Sequence, residues 1–166
     1  RRGTIVPIPK PGKPSDHKYS SKRPLTLLSE VLKTFHKILA GRIQLALYQN
    51  PTLLDLSQTA FLKEGSVDGP VRYILDLIQT HRHRQQNLYT ISYDAAKAYD
   101  TVQFWHVKKA LESFGFPQRF CTYILNYLKQ SSVCVLTAYG PSEFFTPTRG
   151  IKQGDPLSPL LYILTI

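Results

Sequence analysis

Tyr93-Asp94-Ala95-Ala96-Lys97-Ala98-Tyr99-Asp100 is the stretch on which the reading of this chain turns. Residues 88–94 alternate, with Tyr89, Ile91 and Tyr93 on one side and Thr90, Ser92 and Asp94 on the other, which is the two-residue period of a strand. Asp94 therefore ends the expected strand on its polar face, and small residues, one cation and an aromatic follow. These residue types suit phosphoryl transfer: carboxylates hold Mg²⁺, small side chains let backbone N–H groups approach a triphosphate, and an aromatic walls a sugar pocket. They suit equally a plain strand-to-helix turn in which Asp94 or Asp100 caps the next helix.

Moving toward the C-terminus, Phe104, Val107, Leu111 and Phe114 fall on helical spacing, and Gly115 stops that helix. Pro117 opens another that carries Phe120, Tyr123, Ile124, Tyr127 and Leu128. A hairpin is expected next, with strands at 132–138 and 143–146 around Tyr139-Gly140-Pro141-Ser142. Then comes Arg149-Gly150-Ile151-Lys152-Gln153-Gly154-Asp155-Pro156-Leu157-Ser158-Pro159-Leu160. Its glycines allow close backbone approach, Arg149 and Lys152 suit phosphate, and Gln153 offers a donor and an acceptor to a base or sugar. The plain alternative is a loop ahead of a helix with Asp155 as N-cap and Pro156 at the first position.

Moving the other way, residues 4–8 read as a short strand broken by Pro7, and residues 10–22 as a basic loop. Ser29 is a candidate N-cap for a helix of about five turns bearing Val31, Leu32, Phe35, Ile38, Leu39, Ile43 and Ala46. A second helix is expected from Asp68-Gly69-Pro70 through Val71, Ile74, Leu75 and Ile78 to the His/Arg run near residue 83.

The whole chain has 166 residues, 42% hydrophobic and 19% charged, which fits a mixed globular domain and excludes disordered, collagenous and disulfide-scaffold classes. Twelve Pro and nine Gly are too many for one coiled coil, and no apolar run is long enough to span a membrane. The net charge of +10 points to a polyanionic partner, and residues 1–50 carry ten of the Lys and Arg against two acids. Cys121 and Cys134 have no zinc-type spacing, so a reducing compartment and no structural metal are expected. The chain lacks Met, and its last seven residues are apolar without a cap or turn, so it is expected to be a piece of a larger protein.

Taken together, Asp94 with Lys97-Ala98-Tyr99-Asp100 and the later Gln153-Gly154-Asp155-Pro156-Leu157-Ser158-Pro159 resemble motifs A and B of non-LTR (LINE-type) retrotransposon reverse transcriptases. Ile8-Pro9-Lys10-Pro11-Gly12-Lys13 is similar to that family's N-terminal fingers motif. Lys22-Arg23-Pro24-Leu25-Thr26-Leu27-Leu28, continuing to Lys37-Ile38-Leu39-Ala40-Gly41-Arg42-Ile43, resembles its next segment. Gln58-Thr59-Ala60-Phe61 and Ser66-Val67-Asp68 occupy the expected place between fingers and palm, and Ala60 and His36 are minor departures.

The resemblance implies an α+β fold. This would be a partial right-hand polymerase, with fingers at 1–86 and an incomplete palm at 87–166, its helices packed on a small antiparallel sheet. It implies an RNA-directed DNA polymerase that extends a primer 3′-hydroxyl by two-metal phosphoryl transfer. RNA template, DNA primer and deoxynucleoside triphosphates would be the partners, with two Mg²⁺ ions in the full-length parent and no membrane. By motif position Asp94 is the catalytic carboxylate and a ligand of both ions, and the Ala95 carbonyl is a further metal ligand. Tyr99 is the gate against a ribose 2′-hydroxyl. Backbone N–H groups of Lys97 and Ala98, with Arg23 and Lys10, hold the triphosphate. Gln153 and Gly154 line the nucleotide pocket, and Arg149 and Lys152 contact nucleic acid. Asp100 matches a bracing or capping position and not a catalytic one. Motif C, which carries the other metal-binding carboxylates, has no counterpart in the sequence, so this piece alone is expected to be inactive. A noncatalytic RNA-binding remnant and a maturase-type reverse transcriptase are the alternative readings.

Overall fold

A computed structural model of the chain describes residues 2–12, 21–63 and 65–166. Lys13, part of the N-terminal motif, lies outside the described residues, as does most of the expected basic loop. By their contacts the residues divide into two compact units, one built from 1–43 with 97–166 and the other from 44–96.

The first unit contains the sheet. Strand β1 (Arg2–Pro9) pairs antiparallel with β2 (Lys22–Leu27), a strand that the sequence reading missed because Pro24 interrupts it. Pro7 lies directly opposite Pro24, so the two residues without an N–H share one rung and neither deprives an ordinary partner. On its other edge β1 pairs parallel with β3 (Ser132–Thr137), and that pairing stops at Ile5, short of Pro7. β3 then pairs antiparallel with the two-residue β4 (Gly140–Pro141), giving the order β2-β1-β3-β4. The α+β class holds, and the sheet is mixed where an antiparallel one was expected. A parallel neighbour needs a long crossover, and the helices between β1 and β3 supply it.

The hairpin is tighter than its sequence suggested. The turn falls at 138–139, and the strand expected at 143–146 shrinks to one bridge between Val133 and Phe145. Ser142 is the reason: its Oγ accepts the Val135 N–H at 2.9 Å while its own N–H donates to the Val135 carbonyl at 2.9 Å. A side chain thus takes the place of a backbone rung and interrupts the ladder.

Helix α1 (Glu30–Gln49) starts as expected, with the Leu32 N–H directed to Ser29 Oγ at 3.4 Å. Its buried stripe is His36, Ile43 and Leu47, while Val31 and Ile38 face solvent, so the helix is turned relative to the expected face. The short α3 (Ala98–Thr101) precedes α4 (Phe104–Ser113), α5 (Gln118–Lys129) and α6 (Ser158–Thr165). Val107 and Leu111 of α4, Cys121, Ile124 and Leu128 of α5, and Leu160, Leu161 and Leu164 of α6 form the core, together with Val133 of β3. Gly115, at φ +72°, ends α4 as its sequence predicts. Helix α6 begins at Ser158, three residues after the expected cap at Asp155.

The second unit holds the last turns of α1, a 3₁₀ turn (Pro51–Leu53) and α2 (Asp68–His83). The Gln44 side chain clips its connecting loop, donating to the Phe61 carbonyl at 2.7 Å and accepting the Lys63 N–H at 2.6 Å. Helix α2 opens and closes where the sequence places it. Residues 88–94, by contrast, do not form a strand: among the described residues nothing pairs with them, and Tyr89, Ile91 and Tyr93 are each at least 79% exposed. An alternating pattern supplies one face, but a strand also needs a neighbour's N–H and C=O groups. Among the described residues no helix is long and apolar enough to cross a membrane.

The loop before α6 is stitched to the rest of the first unit. The Gly150 N–H donates to the Val102 carbonyl at 2.7 Å, the Ile151 N–H to Tyr99 at 2.9 Å, and the Thr26 N–H of β2 to the Gln153 carbonyl at 2.7 Å. Gly154 sits at φ +100°, where an added Cβ would lie 3.0 Å from the Thr26 carbonyl oxygen and 2.9 Å from Leu25 Cδ1. Gly41, inside α1, has open space around it. The two glycines should therefore respond oppositely to alanine. Gly154→Ala is expected to destabilise by about 1–3 kcal/mol through strain at a positive φ and a backbone contact that cannot yield. Gly41→Ala is expected to stabilise by about 0.5–1 kcal/mol through reduced backbone entropy in the unfolded chain. Urea midpoints followed by circular dichroism check both signs.

Candidate functional site

Most of the candidate residues converge in the first unit. Lys10, just past β1, Lys22 and Arg23 of β2, and Lys97 line a cavity of about 260 Å³ together with Asp100 and Gln153. Four cations against one carboxylate in a concave site focus a positive potential that attracts a polyanion. Lys22 belongs to the basic N-terminal part and the segment after it in the sequence, with no role assigned to it there. Its place at the end of β2, a strand hidden by Pro24, is what brings it in.

A more open cavity of about 510 Å³ shares Lys97 and Gln153 with the first and adds Ala98, Tyr99 and Gly154. Lys97 is left-handed, at φ 53° and ψ 40°, and its carbonyl accepts the Asp100 N–H at 2.8 Å, which starts α3. A non-glycine residue held there stores backbone strain, a feature that concentrates at functional sites. The half-buried Tyr99 stacks on Tyr162 of α6 at 5.2 Å between ring centroids and 10° between planes. Burial, and then Tyr162, push its hydroxyl above the ordinary 10.0, so it stays neutral. Asp100, expected to brace the turn or cap the helix, lies within the first turn of α3 and makes no side-chain cap there.

Arg149 and Lys152 line a third cavity of about 200 Å³, which also reaches Gln153. The Arg149 side chain is exposed, whereas the Lys152 ammonium lies 4.3 Å from the centre of the Tyr127 ring. That distance suits a cation–π contact. Asp94 and Ala95 belong to the second unit and are solvent-exposed. Among the described residues no three His, Cys, Asp or Glu side chains come together. One carboxylate and one carbonyl are only part of the oxygen shell that two divalent ions require, so these residues do not by themselves fit a two-ion centre.

The feature that sequence reasoning passed over is His36. Its ring is fully buried, with Nδ1 at 2.8 and 2.9 Å from the two carboxylate oxygens of Asp155 and Nε2 at 2.7 Å from the Tyr123 hydroxyl. The Tyr127 hydroxyl donates to Asp155 Oδ2 at 2.5 Å, and the Leu157 N–H donates to Oδ1 at 2.9 Å. With Nδ1–H facing the carboxylate, Nε2 accepts from Tyr123 in the neutral ring and donates to it in the charged one, and a hydroxyl serves either role. Burial acts to raise the Asp155 carboxyl. The hydrogen bonds from His36, Tyr127 and Leu157, with the attraction of His36, outweigh it and hold the carboxyl below 3.8. The sequence did carry a signal: a histidine on an apolar helical stripe, and two tyrosines four apart on α5.

Residues 8–166 match the family described as "Reverse transcriptase (RNA-dependent DNA polymerase)". The chain is 31% identical over 146 residues to the Retrovirus-related Pol polyprotein from type-2 retrotransposable element R2DM of Drosophila melanogaster. That match covers 87% of this chain and 13% of the relative. It is 33% identical over 140 residues to the corresponding polyprotein of a type-1 R2 element of Nasonia vitripennis, covering 84% of this chain and 13% of that one. It is 26% identical over 163 residues to the Probable RNA-directed DNA polymerase from transposon X-element of Drosophila melanogaster, covering 98% and 18%. The chain thus spans between an eighth and a fifth of the length of these curated relatives.

The Asp155 network predicts a definite acid limb of stability. Above about pH 5 the carboxylate is ionised in both folded and unfolded chains, and its contribution is complete. As the pH falls through 3.8, the unfolded chain takes up a proton that the folded site refuses, and stability declines until the folded carboxyl also protonates. Asp155→Ala should cost about 3–5 kcal/mol at neutral pH, because it leaves His36 and Tyr127 buried without their partner, and should remove this part of the acid dependence. Urea titrations at neutral and acidic pH measure both effects.

Proposed function

Because the chain belongs to the reverse transcriptase family, and its relatives are Pol polyproteins of non-LTR retrotransposons, we propose that it forms part of the RNA-directed DNA polymerase of such an element. The family works with divalent metal ions, an RNA template and nucleotide substrates. For this protein we assign the metal as Mg²⁺ and the primer as DNA, with residues 1–86 acting as fingers and 87–166 as the first part of the palm. The observation that carries the reading is the convergence of Lys10, Lys22, Arg23, Lys97 and Gln153, drawn from four separate stretches of chain, on one cationic cavity.

In this reading the cationic cavity takes the triphosphate. Lys10 and Arg23 supply charge, and the backbone N–H groups of Lys97 and Ala98 supply directional donors. The adjoining cavity takes the sugar and base. There Tyr99, braced by Tyr162, excludes a ribose 2′-hydroxyl, while Gln153 and Gly154 bound the base side. Arg149 and Lys152 approach the nucleic-acid backbone, and the basic N-terminal part follows the template by phosphate contact. Asp94 and the Ala95 carbonyl are the proposed metal ligands from this chain. With the rest of their ligands supplied, ions held at Asp94 and the Ala95 carbonyl would provide charge neutralisation for the transferred phosphoryl group and activation for the primer hydroxyl. The remaining ligands are assigned to a motif C segment of the full-length protein.

In the full-length protein, Asp94→Asn is expected to abolish nucleotide incorporation and leave template binding intact; normal primer extension by that variant would sink the assignment. Arg23→Ala should raise the nucleotide KM by about tenfold, the worth of one charge-assisted hydrogen bond, and Tyr99→Val should admit ribonucleotides. RNA-templated primer extension with single deoxynucleotides and ribonucleotides checks all three. An open outcome in which template RNA binds, with a salt-dependent affinity, but no wild-type extension occurs would leave the noncatalytic binder as the function.

A further inference from the structure

Gln153 and Gly154 sit on a turn anchored on both sides. On the N-terminal side the anchors are backbone to backbone, from Gly150 to Val102 and from Ile151 to Tyr99, and the Gln153 carbonyl itself takes the Thr26 N–H. Gly154 then adopts φ +100°, a region open to few residues, and has no side chain to fix its direction. The next anchor is the Asp155 carboxylate, held by His36, Tyr127 and the Leu157 N–H, with side-chain exposures of 0% for His36 and 1% for Asp155. Only this anchor depends on side chains remote in sequence.

From this arrangement we propose that His36 is a positioning residue: by holding Asp155 it fixes the Gln153-Gly154 turn against β2 and so sets the affinity for the incoming nucleotide. The proposal rests on the polymerase reading above. Its geometry does not depend on that reading, since the His36 ring bridges three elements. Nδ1 faces the carboxylate, Nε2 faces Tyr123, and the ring meets Tyr127 edge-on at 4.7 Å with planes 89° apart. Tyr123 and Tyr127 are one turn apart on α5, so the imidazole lies against both rings and cannot swing without losing its bonds to Asp155 and Tyr123. Gln153 is two residues from this clamp and lines both the cationic and the sugar-side cavities. A slack Asp155 would let the Gln153 side chain wander while leaving the phosphate-binding cations in place. The clamp therefore acts on nucleotide KM more than on template binding.

Isosteric replacements separate the two ring nitrogens. In His36→Asn the amide NH₂ takes the position of Nδ1 and keeps a donor toward Asp155; in His36→Gln it takes the position of Nε2 and leaves Asp155 without it. Tyr127→Phe, which keeps the ring and removes one donor, serves as the mildest change. All three are made in the full-length protein. The amides of Thr26 and Leu157 are followed by hydrogen exchange with mass spectrometry, alongside nucleotide KM, kcat and template-primer Kd. His36→Gln should speed exchange in the peptides carrying Thr26 and Leu157, leave α4 protected, and raise nucleotide KM by about tenfold with little change in template-primer Kd. His36→Asn should lie close to wild type, and Tyr127→Phe between the two. Faster exchange with an unaltered KM, equal losses in His36→Asn and His36→Gln, or exchange that rises uniformly across the unit would each overturn the positioning role. Wild-type protein that incorporates no nucleotide would overturn the polymerase reading and this proposal together. Wild-type activity matched by every variant would remove the positioning role alone.

Discussion

A carboxylate shut away from water governs the architecture of the first unit. Removing the Asp155 charge from solvent costs several kcal/mol unless it is matched, and His36, Tyr127 and the Leu157 N–H match it in fixed directions. Apolar burial between α4, α5 and α6 is strong but non-directional, and tolerates small rotations of one helix on another. Hydrogen bonds to one carboxylate do not. They set the facing of α1 through His36 and of α5 through Tyr127, with Tyr123 bonded to the far side of the His36 ring, and they fix the entry into α6. The unexpected exposure of Val31 and Ile38 follows, because turning His36 inward turns those residues out.

The same constraint reaches the cavities. Asp155 ends the loop that bears Gln153, and that loop is tied to β2 and α3 by backbone bonds along its length. Three residues at positive φ, Lys97, Gly150 and Gly154, occur within these few segments; the glycines take it freely, and Lys97 alone of the three is strained by it. The cations there are differently employed. Lys152 rests over the Tyr127 ring at the edge of the third cavity, whereas Lys10, Lys22, Arg23 and Lys97 line one shared space. A uniform basic surface spreads its potential, whereas a concave site with several cations focuses it on one place.

Elements whose pattern is local were legible. The 3.6-residue spacing of α4 and α5, the Gly115 stop and the Asp68-Gly69-Pro70 opening of α2 stand as the sequence predicts, because cap, period and stop all lie within a turn or two of each other. Strand β2 was hidden because Pro24 is ordinarily a strand breaker, and it is tolerated only because Pro7 lies opposite. Residues 88–94 failed in the other direction, since their alternation was correct and a pairing strand was absent among the described residues. The contacts of His36 and Tyr162 were missed for a related reason. Nothing within several residues of either one shows that a carboxylate or a second aromatic ring waits across the fold.

From the sequence alone came the family resemblance, the basic N-terminal bias, the helices, and the candidate residues from Lys10 to Gly154, all of which depend on residue identity and short spacing. The tertiary structure decided which of them meet. It brought Lys10, Lys22 and Arg23 to Lys97 and Gln153, turned α1 so that His36 faces Asp155 across 119 residues of chain, and set Tyr99 flat against Tyr162. A period or a motif is encoded within a few turns of chain. The partner of a buried polar group is chosen only when the whole core closes around it, and no local pattern carries that information.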